Sequence, residues 1–417
     1  MSEKTINKIP NVPNLRFSKY SEIIKLWRCS DFLKTFSTTS LSWNQLSYID
    51  ESEFKNLHYG LIHNGAPTLI NCEEYQLPFM QSKIKNYTLC KNGDIIFADA
   101  SEDTKDICKP VEFINIANNK VVSGLHTIHA RDIKELTVIG FKGYLFSSYN
   151  FHKQVHRLTQ GTKIFSINPG NFKEMYVGIP DVNEQKDIVS LFSKIDKRIE
   201  SQNKIIKDLK TYKKTIINYI LKIFEFEELS LNKLISKKYI RIIKPSELGY
   251  FEGTRKYLST SSINEDGITS IEAFITYDHR PSRASMKPIK GSVWFAKMKS
   301  SIKVYLSENF DENEYVLSTG FYGVLCNENF ISKYWLKELF CSDYFNSQKD
   351  RFSEGSSMSS IKDNQLSDIL IKRFINHGDE AQSLDLLLSI NKKIAIEIKL
   401  LEKYKEQKKF LLSSMFI

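Results

Sequence analysis

The chain has 417 residues, enough for two or three domains at roughly 100–200 residues each. Hydrophobic residues make up 41% of it and charged residues 26%, a balance typical of a folded protein and unlike that of a disordered polyelectrolyte. The 59 lysines and arginines outnumber the 49 acidic residues, and the formal charge of +10 permits a polyanionic partner without requiring one.

Neither a membrane span nor a metal site is predicted. No apolar run approaches the roughly 18 residues of a membrane-spanning helix. The first ten residues, MSEKTINKIP, lack the apolar core of a secretory signal. The six cysteines lie far apart and form no CxxC pair. We therefore expect reduced thiols, no zinc site and a cytoplasmic protein.

An internal repeat relates the two halves of the chain. GDIIFADAS from Gly93 resembles GSVWFAKMK from Gly291, and each predicts a glycine turn followed by a buried strand. Residues 154–167 and 348–361 share Gln, Arg, Gly, Ser and Ile at a constant separation of 194 residues. An ordered series of such matches predicts two copies of one structural unit.

Each copy begins with a globular segment, at residues 1–179 and 226–379. Short β-prone runs occur at Asp94–Phe97, Val293–Phe295 and Tyr322–Leu325, and a helical stretch at Ser332–Phe345. Such a mixture predicts an α/β or α+β fold for both segments.

A long helix follows each globular segment. From Glu184 to about Phe224 the chain has no proline or glycine, and apolar residues recur in heptads over roughly 60 Å of helix. Pro180 and Asp181 suit the start of that helix. From about Glu380 to Ile417 the same stripe returns 195 residues later, with polar interruptions at matching positions such as Gln202 and Glu397.

We predict that the two helices, within residues 180–225 and 380–417, pair in antiparallel fashion as a coiled-coil-like spacer with pseudo-two-fold symmetry. The alternative is that each helix lies independently on its own globular segment. The predicted pairing residues are Ile188, Leu191, Ile195, Ile199, Ile206, Leu209, Ile216, Leu386, Ile390, Ile394, Leu401 and Leu411.

Histidines cluster in the first globular segment. Two occur in GLHTIHAR and two in NFHKQVHR, beside basic residues that would disfavour a metal ion but suit phosphates and base edges. Buried or merely exposed histidines are the alternative, and a metal site is a weaker one. The candidate nucleic-acid contacts are His126, His129, Arg131, His152, Lys153 and Arg157.

The second globular segment contains a basic run from Arg280 to Lys303 without a single acidic residue. Serines and aromatic residues alternate with its cations, as on surfaces that face phosphates. The alternative is a solvated loop beside a buried strand. The candidate contacts here are Arg280, Arg283, Lys287, Lys297, Lys299 and Lys303.

Catalytic motifs are missing from the sequence. It has no GxxxxGK[ST], HExxH, GxSxG or PP[YF] element. Asp181, Glu184 and Lys186 superficially match a metal-dependent nuclease signature, but they crowd into one turn at a helix start, where carboxylates interact with free N–H groups. We therefore predict a non-catalytic chain.

The order of motifs resembles the specificity subunit of type I restriction–modification systems across nearly the whole chain. The residues that carry the resemblance are VPNLRF (12–17), GDIIFADAS (93–101), SGLHTIHAR (123–131), KQVHRLTQG (153–161), IPDVNEQKDIVSLFSKIDKRIE (179–200), RKYLSTSSI (255–263), RPSRASM (280–286), LSTGF (317–321) and GSSMSSI (355–361). One departure is IKRFINHGDEAQ (371–382), which lacks the proline–EQ element expected before the second helix.

The resemblance implies that each globular segment is a target-recognition domain reading one half of an asymmetric, bipartite double-stranded DNA site, and that the helices set the spacing. It also implies two modification subunits that use S-adenosylmethionine and two restriction subunits that use ATP and Mg, with no cofactor on this chain. The alternatives are a helical scaffold that joins proteins without touching DNA, and a nuclease using Asp181, Glu184 and Lys186.

Overall fold

A computed structural model of the chain describes residues 12–82, 86–102, 106–159, 165–265, 267–308, 311–353 and 359–417. Contacts divide the chain into two compact units. Unit 1 comprises Met1–Asn203 with Lys399–Ile417, and unit 2 comprises Lys204–Ile398. None of the described helices combines the length and the apolar character needed to cross a membrane.

Unit 1 mixes short strands and short helices ahead of a long helix. Its strands are β1 (Lys25–Arg28), β2 (Leu33–Phe36), β3 (Leu46–Ser47), β4 (Phe54–Leu57), β5 (Leu69–Asn71), β6 (Phe79–Met80), β7 (Ile95–Ala98), β8 (Ala100–Ser101), β9 (Pro110–Asn115), β10 (Lys120–Ser123), β11 (Thr127–Asp132), β12 (Phe165–Ser166) and β13 (Tyr176–Ile179). Its helices are α1 (Cys29–Phe32), α2 (Tyr59–His63), α3 (Phe141–Phe146), α4 (Tyr149–Leu158), α5 (Pro169–Lys173) and the start of α6 (Val182–Ile223), with a 3₁₀ turn at Trp43–Gln45.

The central sheet of unit 1 has the order β2-β11-β7-β9-β5. Strand β7 is buried along its whole length, as its uninterrupted apolar run predicts. A second sheet has the order β10-β4-β6-β3, and the pairs β1–β13 and β12–β8 complete the unit. The main core lies between the central sheet and helices α3 to α6.

Unit 2 repeats this succession of elements. Its strands are β14 (Phe226–Ser230), β15 (Ile240–Ile243), β16 (Arg255–Leu258), β17 (Ile263–Asn264), β18 (Gly267–Ile268), β19 (Ala273–Ile275), β20 (Ala284–Met286), β21 (Val293–Ala296), β22 (Val304–Leu306), β23 (Tyr315–Ser318), β24 (Phe321–Cys326) and β25 (Leu370–Phe374). Its helices are the end of α6, then α7 (Leu231–Ser236), α8 (Asp311–Glu314), α9 (Lys333–Cys341), α10 (Asp343–Phe352), α11 (Asp363–Leu366) and the start of α12 (His377–Ser414), with 3₁₀ turns at Pro245–Glu247 and Thr260–Ser262.

The sheets of unit 2 correspond to those of unit 1. The order β15-β24-β21-β22 matches β2-β11-β7-β9, and β14–β25 matches β1–β13. The second sheet has the order β19-β16-β23-β20, in which β16 and β23 are parallel as β4 and β10 are in unit 1. The predicted mixed fold and its duplication are therefore confirmed.

Equivalent helices in the two units begin with the same cap. The Ser148 hydroxyl accepts a hydrogen bond from the N–H of Phe151 at the start of α4, and the Ser342 hydroxyl accepts one from Phe345 at the start of α10. Because Ser342 starts a new helix, the helical stretch predicted at Ser332–Phe345 is two helices rather than one.

The repeated glutamine binds the same strand in both units. Gln154 on α4 donates to the carbonyl of Tyr176 at 2.8 Å and accepts from its N–H at 3.0 Å. Gln348 on α10 donates to the carbonyl of Leu370 at 3.1 Å and accepts from its N–H at 2.9 Å. One amide thus satisfies both backbone groups where β13 and β25 begin.

The start of α6 is fixed by buried polar side chains. The amide of Gln185 accepts from the N–H of Val138 and donates to the carbonyls of Leu136 and Pro180, each at 2.9 Å. Glu184, 2% exposed, forms a two-point ion pair with Arg16 at 2.8 and 2.7 Å. These bonds account for the EQ pair noted in the sequence.

The start of α12 achieves the same docking with different residues. Glu380 accepts from the N–H of Ser332, the residue equivalent to Val138. Arg373 donates to the carbonyl of Phe330, the equivalent of Leu136, at 2.7 Å. A glutamate and an arginine therefore divide the acceptor and donor roles of one glutamine, which explains how the second helix starts without an EQ element.

Each unit contains one segment of both long helices, and the two segments run antiparallel. In unit 1, Phe192 lies 5.8 Å from Phe416 between ring centroids, while Asp196 pairs with Lys408 at 2.6 Å. In unit 2, Ile217 and Leu387 share one core. The contacts divide the chain inside both helices, so the recognition and spacer boundaries given above stay predictions.

The predicted pairing stripe needs one correction. Leu386 is 45% exposed, whereas Leu387 is fully buried in the core that also contains Ile217. Here the buried face is set by the packing of α12 on unit 2, which the fixed repeat offset does not take into account. Of the other predicted residues, Ile188, Ile195, Ile206, Ile390, Ile394 and Leu401 are buried, and Leu191, Ile199, Leu209, Ile216 and Leu411 are partly buried.

Replacing Gln154 with Leu tests the glutamine bridge. The change leaves a backbone N–H and a carbonyl of Tyr176 without their partner, so we expect the free energy of unfolding to fall by about 1–3 kcal/mol. Urea titration measures the loss. Gln407→Leu, at an exposed position of α12, is the control and should change it by less than about 0.5 kcal/mol. Equal stability of Gln154→Leu and wild type would contradict the bridge.

Candidate nucleic-acid interface

His126, His129, His152 and His156 do not form one cluster. His126 lies in the turn before β11 and His129 lies on β11, while His152 and His156 lie on α4. The side chain of His129 is fully buried, and that of His156 is exposed. Their shared surface, expected from the sequence, is therefore not found.

Buried Asp94 holds His129 and Arg131 together. Its carboxylate lies 2.7 Å from Nε2 of His129 and accepts from Nε and an Nη atom of Arg131 at 2.6 and 2.7 Å. The N–H of Lys91 donates to it as well. Burial by itself would raise the pKa of Asp94, but the bonds from Arg131 and His129 outweigh it and lower that pKa.

The structure therefore does not support the predicted DNA contacts of His129 and Arg131. His129 has no exposed surface. Nε and one Nη of Arg131 are committed to Asp94, and the guanidinium lies 4.7 Å from the centroid of the Phe36 ring. The burial and pairing of these two side chains depend on their neighbours in the fold and not on their spacing in the sequence. Asp94 is the residue that the sequence argument missed.

The same place offers three potential metal ligands, Cys90, Asp94 and His129, whose ligand atoms lie within 4.8 Å of one another. The chemistry of the group does not fit a cation. Arg131 already neutralises Asp94, and burial raises the pKa of the Cys90 thiol well above its ordinary value, so the thiolate is disfavoured. The group is a buried ion pair between strands.

His126 belongs to an open pocket of about 440 Å³ lined in part by Tyr59, His63 and Asp106. Its backbone has a φ of +53°, and its ring lies against Tyr59 with Nδ1 3.3 Å from Asp99. Burial raises the pKa of Asp99. Half of the His126 side chain is exposed, so a polar donor or acceptor is held at this surface.

Helix α4 carries two exposed cations of unit 1. Lys153 and Arg157 are exposed and lie one turn apart on its outer face. His152 is different, because burial and the nearby His156 lower its pKa to about 4. It is therefore neutral near pH 7 and would present no positive charge to DNA.

The equivalent place in unit 2 contains no ion pair among its described residues. The positions of Asp94, Ile96 and His129 correspond to Ser292, Trp294 and Gly323. A side chain at Gly323 would meet the Trp294 ring at 2.4 Å, so the tryptophan requires this glycine. The two units have equivalent strands but differ in the side chains that pack between those strands.

The basic run of unit 2 is less uniform in space than in sequence. Arg283, Lys290 and Lys299 are exposed, whereas Lys287 pairs with Glu312 at 3.6 Å and Lys303 donates to the carbonyl of Thr260. Acidic residues from outside the run thus lie beside it. Fewer cations of this run are therefore exposed than the sequence suggests.

Two other cations of the run lie on aromatic rings. The guanidinium of Arg280 is 3.9 Å from the centroid of Tyr277 and donates to its carbonyl. Lys297 lies 4.0 Å from the centroid of Tyr322, and burial lowers its pKa. These contacts fix the direction of both side chains, so fewer rotamers would be lost on binding a ligand.

The loop that carries Lys299 is held by helix α10. Ser300 has a φ of +55°, and its N–H donates to Asp350 at 2.9 Å. Buried Lys349 donates to the carbonyl of Ser301 at 2.6 Å, and burial lowers its pKa to about 8. Sequence reasoning missed Lys349 and Asp350, because they follow this loop by about 50 residues and only the fold brings them together.

The acidic residues at the start of α6 do not form a nuclease centre. Asp181 accepts from the N–H of Asn183 at 2.7 Å, as a helix cap does. Glu184 is buried against Arg16, while Lys186 is exposed. The three side chains therefore serve the helix start and do not converge.

Residues 64–211 match the protein family described as type I restriction modification DNA specificity domain. No curated protein matches the sequence of this chain. The matched range extends from β5 of unit 1 into α6.

Two solved structures of similar extent are similar to this chain. A chain from a structure on complex assembly and conformational transition of the type I R-M system is 12% identical, covers 93% of this chain and 96% of its own length, and superposes with a TM-score of 0.54. The type I restriction-modification system S subunit from M. genitalium is 14% identical, with coverage of 97% and 99% and a TM-score of 0.49. The first likeness establishes a shared fold.

Replacing Lys349 with Met tests the anchoring of the basic loop through pH. Because the pKa of Lys349 is lower in the folded state, the folded protein loses this proton at lower pH than the unfolded chain does. Wild type should therefore gain stability over Lys349→Met as pH rises from about 8 to 10.5, by at most about 3 kcal/mol.

Urea unfolding at both pH values measures this difference. Lys392→Met, at an exposed position of α12, is the control and should follow the wild-type pH profile. If Lys349→Met also follows it, Lys349 is not buried as a partly neutral amine.

Proposed function

Because the chain belongs to the DNA specificity subunits of type I restriction–modification systems, we propose that its two units read the two halves of an asymmetric, bipartite DNA target. Subunits of this family recognise DNA and have no catalytic activity of their own, which lies in their partner subunits. The observation that carries the proposal is the duplicated unit, one copy of which contains the matched specificity domain.

The differences between the units support different half-sites. Unit 1 places a buried Asp94–Arg131 pair where unit 2 has Trp294 and Gly323. Its surface presents His126, Lys153 and Arg157, and that of unit 2 presents Arg283 and Lys299. Since base edges are read by particular side chains, two unlike surfaces would select unlike sequences.

The long helices are proposed to set the distance between half-sites. Helix α6 has 42 residues and α12 has 38. At 1.5 Å per residue each is roughly 60 Å long. The length of a rigid connection would determine how many base pairs lie unread between the half-sites, because half-site spacing follows protein geometry.

An exposed stripe on α6 suits a protein partner. Ile205, Tyr212 and Tyr219 recur every seven residues and are 43%, 58% and 61% exposed. Apolar side chains in heptad register are the pattern that another helix packs against. We assign this stripe to the modification subunits, of which two would bind with S-adenosylmethionine, followed by two restriction subunits with ATP and Mg.

Methylation mapping tests the proposal as a whole. Cells that express this chain with its modification partner should acquire methylation at two short, different motifs a constant distance apart. A helical scaffold without DNA contact would produce no motif, and the purified complex would bind DNA without the steep salt dependence of phosphate contacts.

Shortening both helices tests the spacing. Deletion of residues 200–206 from α6 and the repeat-equivalent residues 395–401 from α12 keeps the heptad register and removes about 10 Å. The unread spacer should shrink by about three base pairs at 3.4 Å each, and both half-sites should stay the same. Altered half-site sequences would count against the spacing role.

Replacing Arg283 with Ala tests the division of labour between the units. Arg283 is exposed in unit 2, so the loss of binding, about 1–3 kcal/mol for a base contact, should affect one half-site only. Competition binding with DNA altered in either half-site measures it. Arg241→Ala, at an arginine of unit 2 that pairs with Glu247, is the control. Equal losses at both half-sites would refute the assignment.

A further inference from the structure

The residues that segments 154–167 and 348–361 share have the same structural roles, with one exception. Gln154 and Gln348 make the same backbone bridge. Ile167 and Ile361 are each 2% exposed, and the N–H of each donates to the loop after β7 or β21. The remaining described identities are Ser166 with Ser360, at equivalent strand pairings, and Arg157 with Arg351.

Among the residues that the structure describes, the side chains of Arg157 and Arg351 form no hydrogen bond and no ion pair. Both are exposed in the last turn of equivalent helices, α4 and α10. Neither guanidinium has an ion pair or hydrogen bond to another described residue, and the only contact of Arg351 among them is the ring of its neighbour Phe352, 4.9 Å away. Arg16, Arg28, Arg131, Arg241 and Arg373 each pair with a carboxylate.

The location of Arg351 favours a nucleic-acid role. It follows Asp350, which holds Ser300 in the loop that exposes Lys299. Arg157 lies one turn from exposed Lys153 on the matching helix of unit 1. Arg157 thus shares its helix with an exposed cation, and Arg351 follows the residue that holds the loop of another.

The surroundings of the two arginines argue against a shared protein partner. Lys153 and His156 of unit 1 correspond to Ser347 and Asp350 of unit 2. A protein surface docking in the same way on both would meet a lysine beside the arginine of unit 1 and an aspartate beside that of unit 2. A phosphate needs only the guanidinium fork, which binds its oxygens in a bidentate manner.

We propose that Arg157 and Arg351 are equivalent anchors for the phosphate backbone of DNA, one in each unit, and that they act regardless of base sequence. The inference rests on the proposed function. The arginines would hold each unit in the same register on the duplex, while the differing side chains around them read the bases.

Salt titration of DNA binding tests the proposal with the complex of this chain and its modification subunits. Fluorescence anisotropy across a salt series would compare wild type, Arg157→Gln, Arg351→Gln and the double variant. Each single change should reduce the slope of log K against log salt by about 0.9, and the double change by about 1.8. Affinity should fall equally for specific and non-specific DNA, and the methylated motifs should be unchanged. Arg241→Gln is the control and should keep the wild-type slope.

The outcomes separate this inference from the proposed function. A wild-type complex without sequence-selective binding would contradict the specificity function itself. A selective wild type whose single variants keep its slope would overturn only the phosphate role. So would reduced stability with an unchanged slope, which indicates a helix-end role, or loss of modification subunits, which indicates a protein contact.

Discussion

The structure depends on how each globular part is joined to its long helix by buried polar side chains. In unit 1, the Gln185 amide satisfies two carbonyls and one N–H at the first turn of α6. In unit 2, Glu380 and Arg373 satisfy the equivalent N–H and one equivalent carbonyl. Since unpaired backbone groups are costly inside a protein, these bonds fix the start of each long helix on its own unit. A spacing role for the helices requires that constraint.

The repeat separates residues that maintain the unit from residues that distinguish the copies. The glutamine bridge and the buried isoleucines keep the same strand and helix in the same place. Between those strands, one copy has an Asp94–His129–Arg131 network and the other has Trp294 packed on Gly323. The Trp294 ring leaves no room for a side chain at residue 323, whereas Asp94 binds both His129 and Arg131. Divergence of this kind suits two readers with one framework and two targets.

Charge in this protein has to be judged in space. The run from Arg280 to Lys303 has no acid in sequence, yet Glu312 pairs with Lys287 and Asp350 holds the loop of Lys299. Arg131 looked like a DNA contact in a histidine-rich stretch, yet it is committed to Asp94. Fewer cations are exposed than the sequence suggests. Arg280 and Lys297, which lie on tyrosine rings, are held in defined directions.

The sequence by itself determined the mixed fold, its duplication, the two long helices and the family resemblance, because strand and helix periodicity and repeat spacing are local properties of the chain. It also located β7 and β21 from their apolar runs. Only the tertiary structure decided that His129 is buried, that Leu387 rather than Leu386 faces the core, and that Lys349 orders a loop about 50 residues away. Burial and ion pairing depend on neighbours from distant segments, and neither composition nor periodicity carries that information.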